Sequence, residues 1–261
     1  MTGVESPAYE PGHGLLKGRT AVITAAAGAG IGGATARRFL EEGARVLISD
    51  AHTRRLKEHE GLLGREFRGA VAAVPCDVTD EAQVRALFEA AVREHGSLDI
   101  VVNNAGLGGT SDLVDMTDEQ WSRVLDVTLN GTFRCTRAAL RAMRDTGGGV
   151  IVNNASVAGW RAQAGQAHYA AAKAGVMALT RCAAIEAAAY GVRVNAVAPS
   201  LAMHPHLAKV TSAELLERLT EREAFGRYAE PWEVANVIVF LASGYSSYLT
   251  GEVVAVSSQH P

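Results

Sequence analysis

The strongest constraint on the fold is a regular alternation of short apolar runs with segments of helix length. Apolar runs at residues 20–24 and 46–50 flank an amphipathic segment at 31–42, and a charged helical segment follows at 54–63. Further strand candidates lie at 71–75, 98–103, 149–154, 192–198 and 251–256, each separated by a helix-length segment. Strands connected in this way form a parallel sheet with helices on both faces. The pattern predicts an α/β fold with a doubly wound parallel sheet of about seven strands.

Size and charge narrow the organisation further. A chain of 261 residues with 48% hydrophobic composition can bury one large core, so we expect a single domain at residues 19–261 behind a flexible leader at 1–18. The net charge of −3 and the lack of a long basic run argue against nucleic-acid binding. No apolar run has the length of a membrane span, and the first residues lack the pattern of a secretory signal. We expect a cytoplasmic protein.

The three cysteines, Cys76, Cys135 and Cys182, are widely spaced and odd in number. This pattern argues against a disulfide framework and supplies no metal cluster. We expect ordinary buried cysteines and no bound metal.

A glycine-rich turn follows the first apolar run. Gly28, Gly30 and Gly32 occupy the junction between that run and the helical segment after it. Glycines let the backbone approach a pyrophosphate, whose charge is stabilised by the free N–H groups at a helix start. Asp50 ends the second apolar run twenty-two residues after Gly28, near the spacing of an acid that binds a ribose. Together these features predict a Rossmann-type dinucleotide site.

Asp50 also bears on which dinucleotide binds. A carboxylate accepts hydrogen bonds from ribose hydroxyls but repels a 2′-phosphate. We therefore expect NAD rather than NADP, although Arg54 and Arg55 lie close enough in sequence to favour NADP.

A second motif has the spacing of a proton-transfer site. Tyr169 and Lys173 lie four residues apart in an alanine-rich helical segment, and Ser156 precedes the tyrosine by thirteen residues. Residues four apart share one face of a helix. Before desolvation is counted, a lysine ammonium about 4 Å from a phenol contributes on the order of 4 kcal/mol, the amount needed to lower the phenol pKa from about 10 toward 7. We therefore expect Tyr169 to act as an acid or base.

The segment at residues 200–225 breaks the alternation. It carries Met203, His204, Pro205 and His206 before a charged amphipathic stretch. Long insertions between elements are usually functional or disordered, so we interpret this one as a substrate lid. An ordinary surface connection is the alternative.

Taken together, these motifs resemble those of the short-chain dehydrogenase/reductase family, over nearly the whole chain from Lys17 onward. Further shared motifs are Cys-Asp-Val-Thr at 76–79, Asn-Asn-Ala-Gly at 103–106 and Asn-Ala-Val-Ala-Pro at 195–199. The resemblance implies hydride transfer between a nicotinamide and a carbonyl or carbinol carbon, with Tyr169 handling the proton. It implies that Ser156 orients the substrate oxygen, and that Lys173 binds the nicotinamide ribose and tunes Tyr169. A homotetramer is also implied.

The resemblance implies a cofactor site assembled from the ends of several strands. Its residues are Gly28, Gly30, Ile31, Gly32, Asp50, Asp77, Val78, Asn104, Ala105, Gly106, Tyr169, Lys173, Pro199 and Ala202. Residues expected to face the substrate are Leu107, Asn154, Trp160, Arg161, Gln163 and Met203. Trp160 and Met203 suit an apolar ring. Arg161 suits the phosphates of a thioester carrier, or is a solvated or structurally paired arginine.

The chain departs from the usual family pattern at four places. Ala25 stands where glycine is usual in the phosphate loop, and Thr128 replaces the asparagine that completes the proton relay. Ser200 and His204 replace a glycine and a threonine, and Val-Ser-Ser-Gln at 256–259 replaces Val-Asp-Gly-Gly. Thr128 can hold a water through its hydroxyl, but the route of the proton is left open.

The departures themselves resemble a bacterial subgroup that acts on coenzyme A thioesters of the indane remnant in steroid C/D-ring degradation. Members interconvert a ring hydroxyl and a ketone. One alternative is a 3-oxoacyl-carrier-protein reductase of the fatty-acid type. An alternative of another class is a non-catalytic protein that senses the dinucleotide. The sequence leaves the exact substrate, direction and stereochemistry open.

Overall fold

Seven parallel strands form one sheet in the computed structural model, which describes residues 4–203 and 213–258. The strands are β1 (Thr20–Ile23), β2 (Arg45–Asp50), β3 (Val71–Pro75), β4 (Ile100–Asn103), β5 (Gly149–Asn154), β6 (Val192–Pro199) and β7 (Val253–Val256). Their order is β3-β2-β1-β4-β5-β6-β7, and all neighbouring pairs are parallel. The predicted α/β fold class and strand number are confirmed.

Helices connect the strands and cover both faces of the sheet. They are α1 (Ile31–Glu41), α2 (Thr53–Glu66), α3 (Glu81–His95), α4 (Asp118–Leu125), α5 (Gly131–Thr146), α6 (Ala167–Ala187), α7 (Ala213–Thr220) and α8 (Pro231–Ala242). A π-helical turn, Asp126–Asn130, joins α4 to α5. Among the described residues, no helix combines the length and the apolar character of a membrane span.

Alternation along each strand divides the core into two layers. On β1, Ala21 and Ile23 pack with side chains of α1, α2 and α8, whereas Val22 packs on the opposite face with α3, α5 and α6. Both layers are apolar, because a parallel sheet covered by helices on both faces leaves no wet side. Phe39 of α1 and Met143 of α5 are fully buried in the two layers.

The strand order reverses direction at β1, which lies between β2 and β4. In open α/β sheets the ligand crevice lies beyond the carboxyl ends of the strands at this point. The loops after β1, β4, β5 and β6 all leave the sheet at that edge, where most of the predicted site residues lie.

The predicted leader makes specific contacts. The Tyr9 ring packs edge-on against Trp232, with centroids 5.3 Å apart, and its hydroxyl donates to Glu41. Leu16 is buried in the core, and the backbone N–H of His13 donates to the Glu42 carboxylate. The flexibility of residues 1–18 stays a prediction.

Two other sequence expectations meet the structure at the surface. Cys76 and Cys135 are buried as expected, but Cys182 is exposed on the outer side of α6, so the expectation for it is wrong. Helix periodicity places that position on the solvent side, which cysteine spacing alone does not reveal. In the predicted lid, α7 forms part of the amphipathic stretch, while His204, Pro205 and His206 lie outside the described residues.

Candidate active site

Ser156 and Tyr169 approach each other at the carboxyl edge of the sheet. Ser156 follows β5 and begins a 3₁₀ turn, Val157–Gly159, whose Ala158 N–H donates to the serine Oγ at 3.2 Å. Tyr169 lies in the first turn of α6, where a hydrogen-bond interaction with the Ser156 hydroxyl lowers the phenol pKa. The two hydroxyl groups can therefore contact one substrate oxygen.

Lys173 lies one helical turn after Tyr169 and is almost fully buried, with 3% of its surface exposed. Its Nζ donates to the backbone carbonyl of Asn154 at 2.5 Å and lies 5.6 Å from the centre of the Tyr169 ring. Burial disfavours the ammonium form and lowers the lysine pKa from 10.5 to about 8. The group is therefore mainly a cation at neutral pH.

The phenol pKa moves opposite to the sequence expectation. Burial raises the pKa of Tyr169 above 10, and the Ser156 hydroxyl only partly opposes this. The Lys173 Nζ is hydrogen-bonded to the Asn154 carbonyl and lies over the Tyr169 ring. The expectation of a phenol brought toward pKa 7 by the lysine is wrong for this state. Desolvation of the phenol is the largest effect on its pKa.

Thr128 is fully buried in the π-helical turn and lies on the same side of Gly106 as Lys173. Its Oγ1 accepts from the Leu107 N–H at 3.0 Å and donates to the Leu107 carbonyl at 3.2 Å. A methyl group added to Gly106 would lie 3.4 Å from Lys173 Nζ and 3.8 Å from Thr128 Oγ1. The threonine's single hydroxyl proton is thus engaged in holding the loop after β4, and only an acceptor lone pair remains for a water.

The glycine-rich turn fits a close-approaching anion. Helix α1 has no acidic residue in its first turn, and its N-cap, Gly30, has no side chain to cap the helix, so the first N–H groups suit an anion. Gly28 has φ +117°, which favours glycine. A Cβ on Gly32 would lie 2.4 Å from the Ala25 carbonyl, and one on Gly33 would lie 1.7 Å from that of Gly28. Both glycines are required for loop and helix to pack.

Asp50 lies at the end of β2 beside this turn. Its carboxylate accepts from the N–H groups of Ala27 at 3.3 Å and His52 at 2.8 Å, and it is 8% exposed. Arg55 lies 3.8 Å from it and is half exposed. Backbone N–H groups thus hold the Asp50 carboxylate where a ribose would lie, and Arg55 lies beside it.

The loop after β4 is fastened to the turn after β1. The Thr24 hydroxyl accepts from the N–H groups of Asn104 and Ala105 at 3.0 and 3.1 Å. On the far side, Val78 is buried against Gly131, where an added Cβ would lie 2.6 Å from the valine. Asp77 is exposed, and its carboxylate accepts from the N–H and hydroxyl of Thr79.

These features fit a nicotinamide dinucleotide. The glycine cradle, formed by Gly28, Gly32 and Gly33, and the uncapped start of α1 suit a pyrophosphate. Asp50 suits a ribose. In addition, Asn154 Oδ1 is a buried oxygen without a hydrogen-bond partner among the described residues. Buried polar atoms normally have hydrogen-bond partners, so a bound ligand would supply the partner that this oxygen lacks.

Comparison with known proteins decides the family. A family model described as enoyl-(acyl carrier protein) reductase matches residues 25–258. The (5R,7aS)-5-hydroxy-7a-methyl-1-oxo-2,3,5,6,7,7a-hexahydro-1H-indene-carboxyl-CoA reductase of Mycobacterium tuberculosis is 65% identical over 257 residues, which is 98% of each chain. The chain belongs to the short-chain dehydrogenase/reductase family. It is therefore an oxidoreductase of the kind that uses nicotinamide dinucleotides.

Two further members show how widely this dehydrogenase/reductase shares its fold. The 3-oxoacyl-[acyl-carrier-protein] reductase FabG of Thermotoga maritima is 40% identical over 245 residues, covering 92% of this chain and 97% of FabG. The crystal structure of a short chain dehydrogenase from Mycobacterium smegmatis superposes with a TM-score of 0.88 at 59% identity, covering 98% of this chain and 99% of that one.

The predicted substrate residues of this dehydrogenase/reductase lie in different surroundings. Trp160 is half exposed directly after the 3₁₀ turn, while Leu107, Arg161, Gln163 and Met203 are partly buried. The Asn154 amide instead donates to Asn104 Oδ1 at 2.8 Å. Substrate contact by any of them stays a prediction. Of the last two cofactor predictions, Pro199 ends β6, and Ala202 forms a bridge with Ala229.

The sequence interpretation missed Thr24 and Gly33. Thr24 is 1% exposed, and its hydroxyl joins the turn after β1 to the loop after β4. In the sequence it is only a polar residue at the end of an apolar run. Gly33 directly follows Gly32 and lies inside α1. Glycine in a helix interior lowers stability unless close packing requires it, so its position in a helical segment could have indicated its role.

Proposed function

We propose that this dehydrogenase/reductase interconverts a ring ketone and a secondary alcohol on a bicyclic coenzyme A thioester, with NAD(H) as its cofactor. The observation that carries the proposal is the 65% identity, over 98% of both chains, to a reductase named for an indene-carboxyl-CoA substrate. The local geometry of Ser156, Tyr169 and Lys173 supports the chemistry.

The dinucleotide, when bound, supplies the hydride to the carbonyl carbon or takes it from the carbinol carbon. Tyr169 gives the proton to the substrate oxygen during reduction and takes it back during oxidation. A phenol with a raised pKa is protonated at neutral pH, so it is ready to act as the acid. Ser156 donates a second hydrogen bond to the same oxygen and fixes its position.

Lys173 places a buried cation beside the phenol. As negative charge develops on the phenol oxygen, this cation stabilises it, and the low-dielectric surroundings strengthen the interaction. The Asn154 carbonyl holds the ammonium in place. The lysine also reaches toward Gly106, in the loop after β4 that is proposed to shape the cofactor groove.

We assign NAD rather than NADP from Asp50. Its carboxylate would repel a 2′-phosphate, and the half-exposed Arg55 is already drawn to the acid. A KM for NADPH equal to or below that for NADH would overturn this assignment.

Trp160 and the substrate-side residues fit an apolar ring. A half-exposed indole four residues after Ser156 gives a flat apolar surface, which we expect to pack against the bicyclic group. Met203 and Gln163 are proposed to complete this wall, and Arg161 to face the carrier. The predicted lid at residues 200–225 would cover the bicyclic group of the substrate.

Two other functions make different predictions. A fatty-acid type 3-oxoacyl reductase is the first alternative, supported by the 40% identity to FabG. That identity is lower than the 65% identity to the indene-carboxyl-CoA reductase. A dinucleotide sensor would bind NADH without turnover, and it gives no reason for Ser156, Tyr169 and Lys173 to occur together.

The test compares a bicyclic indane-type ketone thioester of coenzyme A with a linear 3-oxoacyl thioester, each with NADH and with NADPH. The proposal predicts that the bicyclic substrate with NADH has a kcat/KM at least tenfold above the other three combinations. Preference for the linear thioester would favour the fatty-acid alternative, and binding without turnover would favour the sensor.

We also propose a cytoplasmic homotetramer. The outward side of α6 carries small or apolar residues in a stripe, namely Ala171, Ala178, Cys182 and Ile185. Ile185 is 80% exposed, and small residues allow helices to approach closely. This surface is expected to pack against a second copy of the chain.

A further inference from the structure

The phosphate loop begins with a strained residue. Ala25 has φ +50°, and it is the one non-glycine residue with a positive φ in the described chain. This conformation is unfavourable for a residue with a Cβ, whereas glycine adopts it freely. The loop therefore needs an additional restraint to stay in this shape.

The Asn104 side chain supplies that restraint. Its Nδ2 donates to the carbonyl oxygens of Thr24 at 3.2 Å and Ala25 at 3.1 Å. These bonds join the strained turn to the loop after β4. They form only when the Asn104 amide is oriented with its NH₂ group toward the two carbonyls.

Asn154 sets this orientation from the neighbouring strand. Its Nδ2 donates to Asn104 Oδ1 at 2.8 Å, so the oxygen of the Asn104 amide must face β5 and the nitrogen must face the turn. The backbone carbonyl of Asn154 accepts from Lys173 Nζ. One residue thus contacts both the catalytic lysine and the support of the phosphate loop.

We propose that Asn154 is a positioning residue for the dinucleotide, which acts through the Asn104 amide to hold the left-handed turn at Ala25 in its binding shape. The inference rests on the dinucleotide binding of the proposed function but not on its substrate. It also differs from a substrate contact, which would alter the KM for the thioester and leave NADH binding unchanged.

The test measures the Kd of NADH by fluorescence titration in the absence of substrate. Asn154→Leu keeps a branched side chain with the same number of heavy atoms but removes the donor to Asn104. We expect it to weaken NADH binding about tenfold, as loss of one buried hydrogen bond would. Asn154→Ser, too short to reach Asn104, is tested in parallel, so that poor folding of one variant leaves the other informative.

A double-mutant cycle with Ala25→Gly separates positioning from general destabilisation. Glycine adopts the positive φ without restraint, so Asn154→Leu should weaken NADH binding less than threefold when it is combined with Ala25→Gly. A control, Asn130→Ser, removes an exposed asparagine whose amide contacts Asp126, and should leave the Kd unchanged.

Two results would overturn the proposal. One is a wild-type Kd for NADH in both Asn154 variants. The other is an equal loss of affinity with and without the Ala25→Gly substitution, which would assign Asn154 to packing alone. Because no substrate is present, neither result depends on whether the proposed ring substrate is correct.

Discussion

At the scale of single residues, the protonation states of Tyr169 and Lys173 govern what the site can do. Both side chains lose hydration in the folded protein, so burial raises the phenol pKa and lowers the ammonium pKa to about 8. The resting site therefore combines a neutral phenol and a cation at pH 7, which suits donation of a proton to a carbonyl oxygen.

The lysine pKa predicts a pH dependence of stability. Between pH 8 and 10.5 the folded state has lost the Lys173 proton while the unfolded state retains it, so the free energy of unfolding rises with pH in this window. The gain is about 3 kcal/mol across the window and is lost as pH falls from 10.5 to 8. Urea titrations from pH 7 to 10.5 should show it for the wild type relative to Lys173→Met. Parallel pH profiles for the two proteins would contradict the lowered pKa.

The sequence predicted which residues meet but not how their environment acts. A four-residue spacing places Tyr169 and Lys173 on one helix face, and the structure shows their contact. The direction of the phenol pKa was wrong, because burial comes from distant elements that spacing does not describe. The roles of Asn154 and Thr24 also depend on contacts across strands, at sequence separations of 50 and 80 residues.

At the scale of elements, the start of α1 is the feature most sensitive to added volume. Gly33→Ala would place a methyl group 1.7 Å from the Gly28 carbonyl, so the phosphate loop must move. We expect NADH affinity to fall at least tenfold and stability to fall by about 1–3 kcal/mol. Titration with NADH and thermal unfolding check both effects.

Gly61→Ala in α2 is the matched control. A Cβ there meets nothing within 4 Å, and alanine is the better helix former. This variant should gain about 0.5–1 kcal/mol in stability and keep its NADH affinity. If Gly33→Ala behaved in the same way, the glycine cradle would not be the phosphate site.

Element positions were largely predictable, with one exception. The apolar runs predicted all seven strands to within about two residues, because strands buried on both faces read as continuous apolar sequence. The π-helical turn at Asp126–Asn130 was not predicted. Nothing in its periodicity separates it from the flanking helices, and its consequence, the bonding of Thr128 to Leu107, appears only in three dimensions.

At the scale of the whole molecule, the proposed homotetramer would depend on the outward stripe of α6. Ala178→Glu would place a carboxylate at the centre of this stripe, and an unpaired charge in an interface is costly. We expect light scattering to show a smaller assembly than the tetramer proposed for the wild type. The control Leu62→Glu alters an exposed apolar residue on α2 and should leave the mass unchanged. A wild-type protein that is a monomer would refute the assembly itself.

The catalytic role of Tyr169 is the central claim for the molecule, and Tyr169→Phe tests it most directly. The variant keeps the ring and its packing but loses the proton, so we expect kcat with the bicyclic thioester to fall at least a thousandfold, while the Kd for NADH stays within about threefold of the wild type. Retention of more than a tenth of wild-type kcat, with NADH still bound, would contradict the assignment of Tyr169 as the proton donor.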